Sequence, residues 1–460
     1  MRWFCSLLAL AAVAAVDLSG CSARLDPPEQ RGELVVAIRN TPAYYQEEDG
    51  AASGFEHDLV ELFGNELGVK TRFVVARDDA ELLALLQQGK VHFAAAAPLA
   101  KQVGVRFTSP LREAGQVLVQ HADTPPIDDF ADLSGKKIEV LRGSPQAELL
   151  SAKNALQPPF ALVVQDGMTE IDLLERVSQR KSELAATDDF HFSIAVNYFP
   201  DLEIAQELEG KVRFGWAFAE NDDAALLAKA QAFIERIRQD GTLARVDDRY
   251  FGHIRRINHA GISDFIERIH SLLPHFRREF ITAQTITGID WRLLAALAYQ
   301  ESAWNPLATS STNVRGIMML TEDTADRLHV DNRLDPKQSI LAGAKYLADL
   351  IDQLPVAAKE PDRTWLGLAA YNLGQGHLNG ARAIALGLKH DPGSWYEMKQ
   401  VLPLMARPQY YKRLKSGRAR GGEAVIMVEN VRTFYSILSR FEYAYKASTY
   451  AAPMLSIPPM

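Results

Sequence analysis

From Glu33 the apolar residues come first as short continuous runs. Leu34-Val35-Val36-Ala37-Ile38 reads as a strand within Glu33–Ile38, and Thr71–Val75 and Val91–Ala96 repeat the pattern. Between the runs, Gly54–Phe63 sets Leu59, Leu62 and Phe63 on one helical face, and Asp79–Gln88 reads as a second helix. Strands alternating with helices predict an α/β arrangement with a mostly parallel sheet covered on both faces. Past Asp264 the periodicity changes. Phe265, Ile266, Ile269, Leu272 and Leu273 follow helical spacing, and no strand-like alternation returns. Helices are predicted at His275–Thr287, Asp290–Ser302, Thr321–Leu328, Ser339–Leu354, Asp362–Leu373 and Ala424–Ser439, an all-α portion over residues 264–460. Ile254–Ser263 has little periodicity and reads as the linker between the halves.

The chain ahead of Gly32 has a different character. Met1–Gly20 carries Arg2 and then the apolar core Leu7–Val16, the pattern of a secretory leader. It ends Leu18-Ser19-Gly20-Cys21, which resembles a bacterial lipobox. That resemblance implies cleavage before Cys21 and acylation of Cys21, an anchor of several acyl chains that holds stably where one chain would be marginal. Ser22 after the cysteine favours the outer membrane, and residues 21–31, with Pro27-Pro28, read as a tether. The only other cysteine, Cys5, lies in the leader, so the mature chain has no internal disulfide. A length of 460 residues suits two or three domains. The net charge of -8 argues against general nucleic-acid binding. No Zn-type Cys/His cluster or Gly-rich phosphate loop stands out, so neither a metal nor a cofactor is expected.

The stretch Asp290–Met319 carries the chemistry. Asp290 is a good N-cap, and the stripe Leu294, Leu297, Ala298 leads next to Glu301, with Pro306 ending the helix soon after. A carboxyl at the C-terminal end of a buried face is pushed toward its protonated form by desolvation and by the helix dipole. That is the state a general acid needs. The alternative is an edge Glu turned into solvent. Glu322 and Asp323 follow Thr321 in a first turn, where capping explains them. Arg407–Arg420 holds six basic residues and no acid, either a solvated loop or a contact for anionic groups.

Over Gly32–His253 the chain resembles the family 3 periplasmic solute-binding proteins. The pieces are Gly54-Phe55-Glu56-His57-Asp58-Leu59, Phe107-Thr108-Ser109-Pro110, Gly143-Ser144, Ala186-Thr187-Asp188 and Asp240-Gly241-Thr242-Leu243 with Tyr250-Phe251-Gly252. The resemblance implies two lobes hinged about a cleft, the second near Leu111–Asn197. Amino-acid binders of this family place an Arg where this chain has Lys101, and an aromatic where it has Leu111. A lysine meets a carboxylate as a point charge rather than a fork, which argues against a free amino acid as ligand. Arg39, Lys101, Ser144 and Asp188 are the cleft candidates for a muropeptide or stem-peptide fragment; surface or capping roles are the alternative.

Four later pieces resemble the soluble-lytic-transglycosylase domain: Glu301-Ser302 with Pro306, Ser310 with Gly316-Ile317-Met318-Met319, Ala369-Ala370-Tyr371-Asn372, and Glu423 with Met427-Val428 and Val431. The fold class implied is an α/β two-lobed periplasmic-binding-protein-like domain followed by an all-α, goose-type-lysozyme-like transglycosylase domain. The resemblance implies cleavage of peptidoglycan glycan strands without water or metal. Glu301 would protonate the bond between N-acetylmuramic acid and N-acetylglucosamine, then take the proton of the muramic C6 hydroxyl as it closes a 1,6-anhydro ring. Ser302, Ser310, Gly316, Met318, Tyr371 and Asn372 are the substrate-binding candidates. Ser302 orients Glu301 or satisfies the helix end, Gly316 admits the ligand or makes a turn, and Tyr371 with Asn372 bonds a sugar or packs and caps. Met319 and Met427 stand where the family has polar residues. A glycan sensor that does not cut, and a lysozyme-like hydrolase, are the competing readings.

Overall fold

The computed structural model describes residues 24–446 except 43, 49, 100–102, 156–158, 221–223 and 255; Cys21 and Lys101 lie outside the described residues. The front half is built on one twisted sheet. Glu33–Arg39 pairs in parallel with Lys70–Ala76 and with Phe93–Pro98, and these strands form the first lobe. Lys137–Leu141 pairs in parallel with Ala161–Gln165 and with Leu184–Asp188, and these form the second. The lobes are joined by two long antiparallel strands, Arg112–His121 and Leu202–Ala219. The second of these also runs antiparallel to Phe93–Pro98 and Val105–Phe107. The sheet is therefore mixed, not mostly parallel. The expectation missed the crossing strands because Leu202–Ala219 alternates irregularly, with register shifts between Ile204 and Gln206, Leu208 and Lys211, and Gly215 and Ala217.

The predicted early elements form close to their expected bounds: Glu33–Arg39, Phe55–Leu67, Lys70–Ala76, Asp79–Gln87 and Phe93–Pro98. Each lobe buries apolar residues on both faces of its sheet, such as Val36, Phe63, Phe93 and Trp216 on one face of the first lobe and Val35, Leu82 and Leu86 on the other. Residues 24–31 lie against this lobe: Pro28–Arg31 is a short helix, Glu29 meets Lys229, and Asp26 O meets His92 Nε2 at 2.9 Å.

The back half is helical. His259–Ser271 starts five residues before the apolar run predicts, because Asn258 caps it by accepting from Gly261 N at 2.8 Å. Arg277–Thr287, Trp291–Ser302, Glu322–Arg327, Pro336–Asp352, Asp362–Leu373 and Gly421–Phe441 match the predicted helices within a turn, and Gln375–Gly387 and Trp395–Val401 are additional. At the centre lies Trp291–Ser302. Its positions Trp291 to Tyr299 are all buried, so it is a core helix rather than one with a single apolar stripe. Arg277–Thr287, Pro336–Asp352 and Gly421–Phe441 pack around it or beside it.

The two halves share one apolar cluster, with Val119, Leu174 and Ile194 of the second lobe and Phe265 and Phe434 of the back half, and polar pairs also cross between them. Arg249, from the front helix Thr242–Phe251, pairs with Asp58 at 3.0 Å and with Asp362 of the back half at 3.3 Å. The buried Arg432 donates to the carbonyls of Asp248 and Arg249, each at 2.8 Å, and pairs with Glu429 at 2.7 Å. Arg440 pairs with Glu175 of the second lobe, and Tyr198 Oη lies 3.3 Å from Ser436 Oγ.

Candidate functional site

The end of the helix Trp291–Ser302 is shaped by its own sequence. Asp290 caps the start, accepting from Arg292 N at 2.8 Å and pairing with the Arg292 guanidinium at 2.7 Å. After Ser302 the chain reverses through two consecutive left-handed residues, Ala303 at φ 50° and Trp304 at φ 60°. Ala303 N closes the last turn on Tyr299 O at 2.7 Å. Trp304 is turned back under the helix, where its buried indole donates to Ala295 O at 2.8 Å. Left-handed backbone costs a non-glycine residue roughly 1–2 kcal/mol, so the buried Trp304 ring is what holds this reversal in place.

Glu301 therefore stands one residue from the helix end, partly buried. Burial alone raises its carboxyl to about 7, with no neighbouring charge among the causes. Tyr371 lies within electrostatic reach: its phenol is pushed well above the usual range by burial first and by Glu301 next. Tyr371 Oη donates to Met318 O at 2.7 Å, which joins the helix Asp362–Leu373 to the loop after Glu301. Ser302 Oγ donates to Ala298 O at 3.1 Å and Ile317 O at 2.8 Å. It satisfies the helix end and ties it to the same loop rather than touching Glu301.

The loop candidates resolve into different roles. Gly316 has φ 85°, and a Cβ there would sit 1.8 Å from Arg333 O. The close approach that requires a glycine is to the chain's own backbone, which accounts for the turn alternative at Gly316. The Met318 side chain is fully buried against Gly343, and its backbone carbonyl is held by Tyr371. Ser310 Oγ accepts from Thr312 N at 3.3 Å and Val314 N at 3.1 Å, so it organises its own turn. Asn372 is exposed, so it does not extend the buried stripe of its helix and its amide is open to solvent. Thr321 caps Glu322–Arg327, accepting from Thr324 N at 3.2 Å. Met427 is buried in the helical core. The spacing argument missed Tyr346, whose ring centroid lies 5.3 Å from that of Tyr371; only its place on the inner face of Pro336–Asp352 could have suggested it.

In the front half the candidates converge only in part. Arg39 of the first lobe pairs with Asp79 at 3.1 Å and reaches across the lobes to Glu170 with bonds of 2.7 and 3.3 Å. Asp188 is buried and caps its helix, accepting from His191 N at 2.8 Å while its other oxygen meets His191 Nδ1 at 2.7 Å. His191 Nε2 stands 3.9 Å from Glu170. Burial would raise Glu170, but Arg39 and His191 outweigh it and hold the carboxyl down at about 2. Burial pushes Asp79 up to about 6 against the pull of Arg39. For His191, burial is outweighed by Asp188 and Glu170 and the imidazole is raised. Ser144 is a buried N-cap, accepting from Ala147 N at 3.2 Å. Glu170, Asp79 and His191 were not anticipated. The sequence signals of Glu170 and Asp79, one just after the cap Thr169 and the other just after the cap Asp78, read as ordinary helix starts.

Comparison with known proteins bears on both halves. Residues 34–253 match the bacterial extracellular solute-binding proteins, family 3, and residues 278–390 match the transglycosylase SLT domain. Membrane-bound lytic murein transglycosylase F of Nitrosospira multiformis is 41% identical over 422 residues, 91% of this chain and 88% of that one. The protein of the same name from Thiobacillus denitrificans is 41% identical over 451 residues, 96% of this chain and 94% of that one. Among solved structures, a mutant arginine-binding protein from T. maritima, 22% identical, covers 49% of this chain and 97% of its own with a TM-score of 0.44. Among the described residues no helix is long and apolar enough to cross a membrane. An α/β two-lobed front half, a helical back half and relatives at this identity over almost the whole length make one conclusion: the chain belongs to the membrane-bound lytic murein transglycosylase F family.

Proposed function

We propose that the chain is a peptidoglycan lytic transglycosylase in which Glu301 acts alone, first as acid and then as base. The observation that carries this is the Glu301 carboxyl raised to about 7 by burial, beside Tyr371. Protonated, it gives its proton to the oxygen between N-acetylmuramic acid and N-acetylglucosamine, and the C1–O bond breaks. The resulting carboxylate takes the proton of the muramic C6 hydroxyl while that oxygen bonds to C1. The proton returns to Glu301, no water is consumed, and a 1,6-anhydro end remains. Charge developing at C1 needs nearby dipoles; the Tyr371 hydroxyl and the solvent-open Asn372 amide are the groups we assign to the saccharide. Ser302, Ser310, Gly316 and Met318 support the reaction by shaping the loop beneath it.

In this reading residues 1–20 are a leader, Cys21 carries the lipid anchor at the periplasmic face of the outer membrane, and 264–460 cut the glycan. The cleft of the domain spanning residues 32–253 takes a muropeptide or stem-peptide fragment near Arg39, Lys101, Ser144 and Asp188 and modulates cutting. The decisive experiment is a mass spectrum of products released from purified sacculi by the wild type and by Glu301→Gln. Wild type should release anhydro ends, one water lighter than reducing ends, and Glu301→Gln should release none. Equal release by both proteins, or reducing ends alone, overturns the mechanism.

A further inference from the structure

The wall of the Glu301 site can be followed outward one side chain at a time. Tyr371 stands within electrostatic reach of the Glu301 carboxyl. Tyr346, from the helix Pro336–Asp352, sets its ring centroid 5.3 Å from that of Tyr371, at an interplanar angle of 50°. The Arg327 guanidinium, from the last turn of Glu322–Arg327, stands over the Tyr346 ring, 5.1 Å from its centroid. An acid, two phenols and a cation thus follow one another from the helix end outward. The Tyr371 hydroxyl is engaged by Met318 O, whereas that of Tyr346 makes no hydrogen bond among the described residues and is open to solvent.

Arg327 is set apart by the partner it lacks. The other cations that stand over aromatic rings among the described residues are Arg112, Lys153, Arg236, Arg292, Arg432 and Arg440. Each of them also holds a carboxylate of the chain. Arg327 is exposed and makes no ion pair or hydrogen bond among the described residues. Asp323 and Asp326 of its own helix, and Asp349 one turn from Tyr346, are exposed but pair with none of its nitrogens, and Glu322 faces Arg333 at 3.9 Å instead. A guanidinium laid on an aromatic face keeps its N–H edge free. Held there, it loses little freedom on meeting a carboxylate through two parallel bonds.

A glycan of N-acetylglucosamine and N-acetylmuramic acid carries its acidic groups in one place. They lie on the 3-O-lactyl arm of the muramoyl unit, as the arm's own carboxyl or as those of the peptide joined to it. The muramoyl unit is also the one whose C1 meets Glu301 in the proposed reaction. We propose that Arg327, steadied by Tyr346, is a specificity-determining residue that takes a carboxylate of this lactyl arm. The contact rests on the reading of the Glu301 site as the glycan site. It adds a reason for that site to favour muramoyl glycan over an uncharged N-acetylglucosamine polymer with the same β-1,4 backbone.

The test is calorimetric titration of the full-length chain carrying Glu301→Gln, so that binding is read apart from turnover. Three soluble tetrasaccharides are compared: N-acetylchitotetraose, the peptidoglycan repeat with free lactyl carboxyls, and the same repeat with its stem peptides. Adding Arg327→Ala should lower the preference for a charged tetrasaccharide over N-acetylchitotetraose about tenfold, and Arg327→Lys should restore part of it. A fall for the free-lactyl form assigns the contact to the lactyl carboxyl, and a fall confined to the peptide-bearing form assigns it to the stem; either supports the site. Tyr346→Leu removes the platform and should lower the preference about threefold. Lys389 lies just past the helix Gln375–Gly387, whose far end is about 18 Å from the start that follows Asn372. Lys389→Ala removes the same charge there and should leave the preference as it was. The front half is identical in all variants, so its own affinity for stem peptides cancels. A preference unchanged by Arg327→Ala, or lowered equally by Lys389→Ala, overturns the contact and leaves the glycan reading standing. Failure of all three tetrasaccharides to bind overturns the glycan reading and this contact with it.

Discussion

Replacing Glu301 by Gln should make the protein more stable, and by an amount that depends on pH. Burial raises the carboxyl from an ordinary 4.5 to about 7. The unfolded chain therefore releases this proton at lower pH than the folded one, so ionisation favours unfolding as pH climbs between those two values. Below about pH 4.5 both states hold the proton and the group costs nothing. Above about pH 7 both have lost it and the cost is complete, about 3 kcal/mol at 1.36 kcal/mol per pH unit. At pH 5 the same linkage leaves a cost of about 1 kcal/mol. Glutamine keeps the shape and never ionises, so its advantage over wild type should grow by about 2–3 kcal/mol between pH 5 and pH 8. Urea denaturation followed by tryptophan emission is the assay, since Trp291 and Trp304 lie in the same core as the helix bearing Glu301. Turnover on sacculi should hold while wild type loses stability and fall only as pH passes about 7, where the folded carboxyl gives up its proton. A stability difference that is the same at pH 5 and pH 8 would refute the argument that burial holds this proton.

Other perturbations follow from the neighbouring contacts. Tyr371→Phe deletes the hydroxyl that donates to Met318 O, and should cost about 1–3 kcal/mol in urea denaturation together with most of the turnover. Gly316→Ala drives a methyl into Arg333 O at a positive φ, so at least about 3 kcal/mol and a large drop in melting temperature are expected. Arg39→Ala leaves Asp79 and Glu170 facing each other without their cation, which should separate the lobes and raise the radius of gyration measured by X-ray scattering.

Residues whose role is set by nearby sequence were readable, and residues whose role is set by a distant contact were not. The cap at Asp290 and the helix leading to Glu301 were legible, while the spacing left Glu301 open between a buried face and solvent, because the helix is buried all round and no stripe marks one side. Gly316 was left open between admitting a ligand and making a turn because its neighbour, Arg333 O, lies on a later loop that no local pattern reveals. Asn372 follows Trp365, Leu368 and Ala369 at helical spacing, yet it stands exposed at the last turn of its helix, where packing no longer covers it. The mixed sheet was missed for a related reason. A strand bulged in three places loses the period-two signal that would announce it. The pairing of Arg39 with Glu170 spans 131 residues, and only the folded sheet brings them together.

That pairing has a consequence for how the front half can respond. Glu170 already presents a carboxylate to the Arg39 fork, so any acidic ligand entering the cleft competes with a rival tethered in the same molecule. A tethered rival acts at an effective concentration in the millimolar range or above, whatever the dilution of the protein. The observed affinity of an acidic ligand is then its intrinsic affinity reduced by the fraction of molecules in which the clasp is open. Such a domain ignores traces. It answers when ligand is locally abundant, or when the ligand brings a cation of its own to engage Glu170 and so compensates both halves of the clasp it displaces.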